Sequence, residues 1–414
     1  MKIEGLISLR GDKSISHRAL FFGALIKHTS IIKNISLCND VTATINALRQ
    51  CNINIKIKNN IVEILGGTLK SPDSFLNMHN SGTTARLMIG LMAGQNIRAK
   101  FVGDNSLSLR PMGRILKPLT NAGANIISND SFLPIEILSG ITKSIVLKEK
   151  TKSAQVKSSL ILAALGQKEK SKICYNKFTR NHSEIFLDYL GYNILEGDAI
   201  VAHNIQFNQG FNISIPGDIS NAAFIIAAVI LIPGSSITIT NLLNNNLRNG
   251  FINLIKEMGA CIYIKNSSLK YGEQVCDLYA EYSPNLKNIN LTGDKVITAI
   301  DEIPILAILA TQAKGTMVID DAKELRMKET DRIRAIFYNL NNMQANVRET
   351  DSGIVIKGGN KLYNTTINNF GDHRIAMAFY ILDLLLNNET INKKLEIANV
   401  SFPEFHQTLK EVVV

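Results

Sequence analysis

Hydrophobic positions in this chain cluster into short runs that turn residues interrupt. Ile7 and Leu9 alternate with polar neighbours, as in a strand, and Ala19, Leu20 and Phe22 then open a helix. Leu87 to Leu91, Ile305 to Ile308 and Ile375 to Ala378 are apolar at nearly every position. The longest such run, Ala222 to Ile232, is about half of the ~20 residues needed to span a bilayer. It predicts a buried helix.

A weaker pattern repeats along the chain. A Leu or Ile near a helix end is followed four residues later by a turn residue, and three further on by Ile or Val. The sets are Leu48/Asn52/Ile55, Leu119/Gly123/Ile126, Leu187/Gly191/Ile194, Ile255/Gly259/Ile262 and Leu340/Gln344/Val347. They recur at intervals of roughly 70 to 85 residues, as in an internal repeat. Glycine at the turn suits a left-handed helix end followed at once by a strand. A sixth helix, around Phe405 to Leu409, ends with the chain. Strands and helices alternate throughout, so the class is mixed, α/β (α+β).

A second echo marks the domains. Arg10-Gly11-Asp12-Lys13-Ser14 resembles Pro216-Gly217-Asp218-Ile219-Ser220, and an alanine-bearing apolar helix follows each. Two such turns are candidate crossings, with residues 1–11 and 218–414 forming a discontinuous domain and 12–217 the other. Six helix-strand units then divide three and three. A length of 414 residues fits two cores better than one.

Hydrophobic content of 45% and charged content of 19% are the balance of a folded soluble protein. The net charge of +10 favours anionic partners. Lysines are dispersed and Trp is absent, so no basic stripe interleaved with aromatics points to nucleic acid. Five cysteines without a CxxC pair read as reduced packing thiols of a cytoplasmic protein. No His/Cys cluster has ligand spacing, so neither metal nor cofactor is expected. The first residues lack the apolar core of a signal peptide.

The chemistry concentrates where cations meet helix starts. Arg326-Met327-Lys328-Glu329-Thr330-Asp331-Arg332 is the densest segment. On a helix, Lys328 and Arg332 share a face with Glu329 beside them, which suits an anion with a carboxylate next to it. A solvated, salt-bridged face is the plainer alternative. Gly11-Asp12-Lys13-Ser14 places Lys13 and Arg18 at a helix N-terminus, where free N–H groups attract anions. Ser14 and Ser16 serve equally well as caps there. Asn80 to Arg86 brings small hydroxyl residues to a helix start, and Arg110 precedes Pro111 in a turn. His373 and Arg374 follow Gly371-Asp372, and Asp301-Glu302 precedes Pro304, where acids either cap a helix or act as a base. Together these read as a crowded anion site with carboxylates for proton transfer.

As a set, Gly-Asp-Lys-Ser-Ile-Ser-His-Arg (11–18), Asn-Ser-Gly-Thr-Thr (80–84), Arg-Pro-Met (110–112), Lys-Glu-Thr-Asp-Arg (328–332) and Gly-Asp-His-Arg (371–374) resemble the 5-enolpyruvylshikimate-3-phosphate synthase family. The match runs in order over essentially the whole chain. The resemblance implies two inverse α/β-barrel-like domains, each of three βαβαββ units, with the active site in the cleft between them. It implies transfer of the carboxyvinyl group of phosphoenolpyruvate to the 5-hydroxyl of shikimate 3-phosphate by a monomer. Carried over residue by residue, Lys13, Gly82, Arg110, Gln155, Arg332 and Arg374 meet phosphoenolpyruvate. Lys13, Ser14, Arg18, Ser153, Ala154, Gln155, Thr179, Asp301 and Lys328 hold shikimate 3-phosphate. Asp301 takes the hydroxyl proton, Glu329 helps protonate the methylene carbon, and Lys13 completes the catalytic set.

The chain departs from the family pattern at several points. Glu324 stands where many members have Asn, Ala154 replaces a frequent Ser, Val400 stands where many have Lys, and His79 replaces the usual Gly. Arg180-Asn181-His182-Ser183-Glu184 matches the R-x-H-x-E signature of the glyphosate-tolerant subgroup. The nearest rival, a UDP-N-acetylglucosamine carboxyvinyl transferase, uses a loop Cys, and Asp104 to Arg114 contains none. An RNA-end-processing or nucleic-acid-binding protein has only the charge in its favour.

Overall fold

The computed structural model describes residues 1–414, the side chains of residues 388 and 389 excepted. The chain divides into two compact units, one of Met1–Arg10 with Pro216–Val414, the other of Gly11–Ile215. In chain order the helices are α1 (Lys13–Leu25), α2 (Asn39–Gln50), α3 (Gly82–Gly94), α4 (Asn105–Ser108), α5 (Gly113–Asn121), α6 (Ala154–Ala164) and α7 (His182–Tyr189) in the second unit. The first unit holds α8 (Ile219–Leu231), α9 (Gly250–Glu257), α10 (Asp294–Ala299), α11 (Ile303–Gln312), α12 (Arg332–Asn342), α13 (His373–Leu386) and α14 (Phe405–Val412).

The Gly11–Ile215 unit contains three sheets of one design. Strand Thr29–Lys33 runs parallel to Asn212–Ser214 and antiparallel to Ile61–Leu65, which pairs with Asn54–Lys58. Ala99–Val102 stands in the same relation to Leu76–Asn77 and Phe132–Ser139, and Ser171–Tyr175 to Val146–Thr151 and Ala199–Ala202. In the other unit, Ser236–Leu243 runs parallel to Glu4–Ser8 and antiparallel to Glu273–Glu281. A further sheet of Thr316–Ile319, Ile354–Lys357 and Asn346–Glu349 is antiparallel, with a parallel bridge from Leu291 to Ile319 at its edge. Parallel neighbours need crossovers, and a buried helix supplies two of them: α3 joins Leu76–Asn77 to Ala99–Val102, and α6 joins Val146–Thr151 to Ser171–Tyr175.

One helix of each repeat is interior. Every residue of α8 from Ile219 to Ile230 is buried, as is α11 from Ile303 to Thr311. α1, α3, α6 and α13 are nearly as enclosed. The second helix of each repeat is buried along one face only, as α2, α5, α7, α9, α12 and α14 show. The five turn residues of the repeat all take positive φ: Asn52 at 69°, Gly123 at 97°, Gly191 at 89°, Gly259 at 93° and Gln344 at 62°. In each case the next N–H donates back to the anchor carbonyl, from Ile53 to Leu48 at 3.1 Å through Ala345 to Leu340 at 2.9 Å. This is the Schellman ending, and it turns the chain into the next strand without leaving helix carbonyls unpaired.

Burial pushes the Cys38 and Cys276 thiols up to about 11 and Cys51 up to about 12, so these three are protonated packing groups. Among the described residues no helix is long and apolar enough to cross a membrane.

Close packing of α3 on α6 depends on small residues. A Cβ on Gly90 would lie 2.1 Å from the Ser159 carbonyl oxygen, and one on Gly94 would lie 2.4 Å from that of Ala163. Gly90→Ala is therefore expected to destabilise the protein by ~1–3 kcal/mol through overpacking, although alanine is the better helix former. Denaturant unfolding of the variant checks this.

Candidate active site

Interior helices are apolar along their length, so their polar groups collect at their N-termini. Asp12 caps α1, its Oδ1 accepting from the Ile15 N–H at 2.9 Å. Asp218 caps α8 in the same way, with the Ser220 N–H at 2.8 Å, so the two Gly-Asp turns are structural equivalents. Ser81 caps α3, Ser153 caps α6 and Asp372 caps α13. The sequence-derived residues Lys13, Ser14, Gly82, Ala154, Gln155 and Arg374 all lie in the first turn of such a helix.

In the Gly11–Ile215 unit these ends are cross-linked. Lys13 Nζ pairs with Asp40 Oδ2 at 2.7 Å. A buried hydroxyl chain runs from Ser81 through Thr84 and Thr44 to His17 Nδ1, with contacts of 2.7, 2.7 and 2.8 Å. Thr84 Oγ1 also donates to the Asp40 carbonyl at 3.1 Å, which ties the Lys13 partner to the start of α3. Gly82 lies under two arginines: a Cβ there would meet Arg86 Nη1 at 2.7 Å and Arg110 Nη1 at 3.3 Å. Arg110 is buried and donates to Asn80 Oδ1 at 2.5 Å and Ser106 Oγ at 3.1 Å. Arg86 donates to Gln155 Oε1 at 3.0 Å, and Gln155 Nε2 to Thr83 Oγ1 at 2.9 Å. Arg18 is fixed by Ser14 O, Ser158 Oγ and Ser183 Oγ at 2.8, 2.7 and 2.9 Å. Thr179 is buried beside Lys157, whose Nζ donates to its carbonyl at 3.2 Å.

The other unit gathers the remaining residues around Arg332. That side chain is almost wholly enclosed. Its Nε donates to Asp372 Oδ2 at 2.7 Å and its Nη2 to Glu329 Oε2 at 2.6 Å, while Nη1 stands 3.6 Å from Asp301 Oδ1. Burial alone would lower the guanidinium pKa, but Asp372, Glu329 and Asp301 outweigh it and raise it. Lys328 Nζ also stands 3.6 Å from Asp301 Oδ1, so that carboxylate faces two cations. Arg374 Nη1 donates to the Asp301 carbonyl at 3.1 Å.

One local expectation is corrected. Arg326 to Arg332 is not a continuous helix. A short 3-10 turn covers Lys323–Met327, Lys328 is extended, and α12 starts only at Arg332, behind its cap Asp331. Arg326 holds the bend, with Asp331 at 2.6 Å, Glu349 at 2.9 Å and the Thr350 carbonyl at 2.6 Å. Lys328 and Arg332 still converge on Asp301, through a turn and not a helical face. His79 has φ of 49° and is exposed, so the backbone conformation accounts for the glycine usual there.

Sequence reasoning missed Asp40, Lys157 and Arg248. Lys157 had a signal: at helical spacing it shares a face with the apolar Leu160 and Ile161, where a charge must find a partner. Asp40 had none beyond being an acid in the first turn of α2.

His17 gives this cluster a pH signature. Burial first, then the charges of Lys13 and Arg18, hold its imidazole well below the ordinary histidine value of 6.5, against a smaller opposing effect of Asp12. Below that pH the unfolded chain takes a proton that the folded one refuses. This contribution to stability is intact above pH 6.5 and is lost as pH falls, by up to ~1.4 kcal/mol per pH unit. His17→Gln should flatten that slope in denaturant unfolding measured on both sides of pH 6.5.

Comparison with known proteins fits this geometry. The family model described as EPSP synthase (3-phosphoshikimate 1-carboxyvinyltransferase) matches residues 1–409. The 3-phosphoshikimate 1-carboxyvinyltransferase of Persephonella marina is 38% identical over 100% of this chain and 98% of its own length. That of Thermodesulfovibrio yellowstonii is 41% identical over 99% and 97%. The solved EPSP synthase of Acinetobacter baumannii superposes with a TM-score of 0.83 at 34% identity, over 99% of this chain and 96% of that one. The motifs, the fold and these matches along the whole length agree, and the chain belongs to the EPSP synthase family.

Proposed function

We propose that this protein transfers the carboxyvinyl group of phosphoenolpyruvate to the 5-hydroxyl of shikimate 3-phosphate, releasing phosphate. The observation that carries the reading is the Asp301 carboxylate set 3.6 Å from both Lys328 and Arg332, in a chain of this family. Such a carboxylate accepts a hydroxyl proton, while the neighbouring cations hold the anionic substrates against it.

In this reading Arg110, Arg332 and Arg374, with Gly82 and Gln155, receive phosphoenolpyruvate. The buried Nη1 of Arg332 has no hydrogen-bond partner among the described residues, which supports its service to an anion. Gly82 leaves backbone exposed between two guanidinium groups, where a side chain would block the approach. Ser14, Arg18, Ser153, Ala154, Gln155, Thr179 and Lys328 receive shikimate 3-phosphate. Lys13 bridges the two ligands, and Asp40 holds it ready. Asp301 removes the 5-hydroxyl proton as oxygen attacks the phosphoenolpyruvate C2. Glu329, at 2.6 Å from Arg332, supplies the proton that the methylene carbon takes up. Phosphate then leaves C2 of the tetrahedral adduct as the Glu329 carboxylate takes a proton back from the methyl carbon, which restores the carbon–carbon double bond. Both sets of residues thus serve one reaction.

The subgroup is part of the same proposal. Arg180-Asn181-His182-Ser183-Glu184 and Ala154 support membership among the glyphosate-tolerant enzymes. Inhibition competitive with phosphoenolpyruvate should require glyphosate well above the low micromolar range, and an inhibition constant within that range would overturn the assignment.

Phosphate release from shikimate 3-phosphate plus phosphoenolpyruvate tests the activity. Lys13→Ala, Asp301→Ala and Glu329→Ala should each lose at least ~10²-fold in rate, the scale of a general acid-base group. Near-normal turnover in Asp301→Ala would remove it from the base role.

A further inference from the structure

The Gly11–Ile215 unit contains a charge pair almost entirely shut off from solvent. Lys157 is fully buried, and its Nζ lies 2.5 Å from Glu184 Oε1, itself only 3% exposed. The ammonium also lies 4.5 Å from the centre of the Tyr175 ring. The Lys157 ammonium is committed to Glu184, the Thr179 carbonyl and the Tyr175 ring. Burying two ions is costly, and replacing such pairs by apolar residues is often neutral, so stability alone is a poor reason for this one.

Its neighbours supply another reason. Ser158 and Ser183 each adjoin one member of the pair, and they are the two hydroxyls that hold Arg18, at 2.7 and 2.9 Å. They also touch each other at 2.8 Å. The Arg18 charge is close enough to lower the Lys157 pKa, although burial is the larger cause. Arg18 is held on Ser183, the residue next to Glu184, while Lys157 is the cation that binds the Glu184 carboxylate. Lys157 Nζ also donates to the Thr179 carbonyl, which anchors a second residue of the same site.

We infer that Lys157 is a positioning residue for shikimate 3-phosphate: it neutralises Glu184, so that the Arg18 guanidinium stays directed at this anionic substrate. The inference rests on the reading above, in which Arg18 and Thr179 receive that substrate. Without Lys157, the buried Glu184 carboxylate turns to Arg18 and competes with the substrate. Without the Glu184 charge there is nothing to compete.

The test is steady-state kinetics of the full chain with each substrate varied in turn, alongside thermal unfolding of every variant. Lys157→Met should raise the KM for shikimate 3-phosphate at least ~10-fold and leave that for phosphoenolpyruvate within about twofold, the scale of losing one partner of a buried charge pair. Glu184→Gln should leave both KM values within about threefold, and Lys157→Met/Glu184→Leu should return the shikimate 3-phosphate KM to within about threefold of the starting protein, since the pair is then removed whole. A purely structural role predicts instead that both KM values move together or that the double variant stays as impaired as Lys157→Met, and either result overturns the inference. So does an unchanged KM in Lys157→Met. Should that variant fail to fold, a folded double variant with a KM raised ~10-fold or more is equally decisive against it. If the starting protein itself makes no product from the two substrates, the proposed function falls and not merely the role of Lys157.

Discussion

The structure depends on enclosing six helices so completely that only their ends remain available for chemistry. A helix buried on all sides, as α8 and α11 are, can offer a ligand nothing from its flanks. Its N-terminus is different. Backbone N–H groups are exposed there, the helix dipole is positive, and the capping residue fixes the turn that carries the next side chains. Lys13, Gly82, Gln155 and Arg374 are placed by that one rule, and Asp12, Ser81, Ser153 and Asp372 enforce it as caps.

A second constraint follows from burial. Cations held out of water need matching carboxylates, and here the carboxylates also set direction. Asp40 aims Lys13, while Asp372 and Glu329 aim Arg332 from two sides. Arg248, enclosed in the same unit as Arg332, lies 3.2 Å from Glu302 and 3.5 Å from Asp218. Pairs of this kind contribute little net stability, because desolvation offsets much of their attraction. Their value lies in geometry, since a cation already fixed in place loses little freedom when an anion arrives. Asp301 and Glu329 both face Arg332, so the carboxylates and cations of this cluster form one network.

Bends in the backbone complete the arrangement. The Lys328–Arg332 segment reaches Asp301 because Arg326 folds it against Glu349 and the Thr350 carbonyl before α12 begins. The five left-handed helix ends act similarly on a larger scale, since each turns an outer helix directly into the next strand.

Much of this was legible in the sequence because it is local. Apolar runs identified the interior helices, and a turn residue four after a Leu or Ile, glycine in three of five sets, marked the helix ends, since glycine takes positive φ most readily. The doubled Gly-Asp turn announced two equivalent capped helices. The motifs named the cations and the acids, and their order along the chain carried the family resemblance. Partners distant in sequence were decided by the tertiary structure. Nothing near Lys13 identifies Asp40 as its counter-ion, and nothing near Lys157 names Glu184. Even the seven residues from Arg326 to Arg332, read as one helix, bend because Glu349 and Thr350 hold Arg326. Sequence determines which groups are charged and where the backbone must turn; which charge faces which is settled only when strands and helices pack, because an ion pair depends on distance in space.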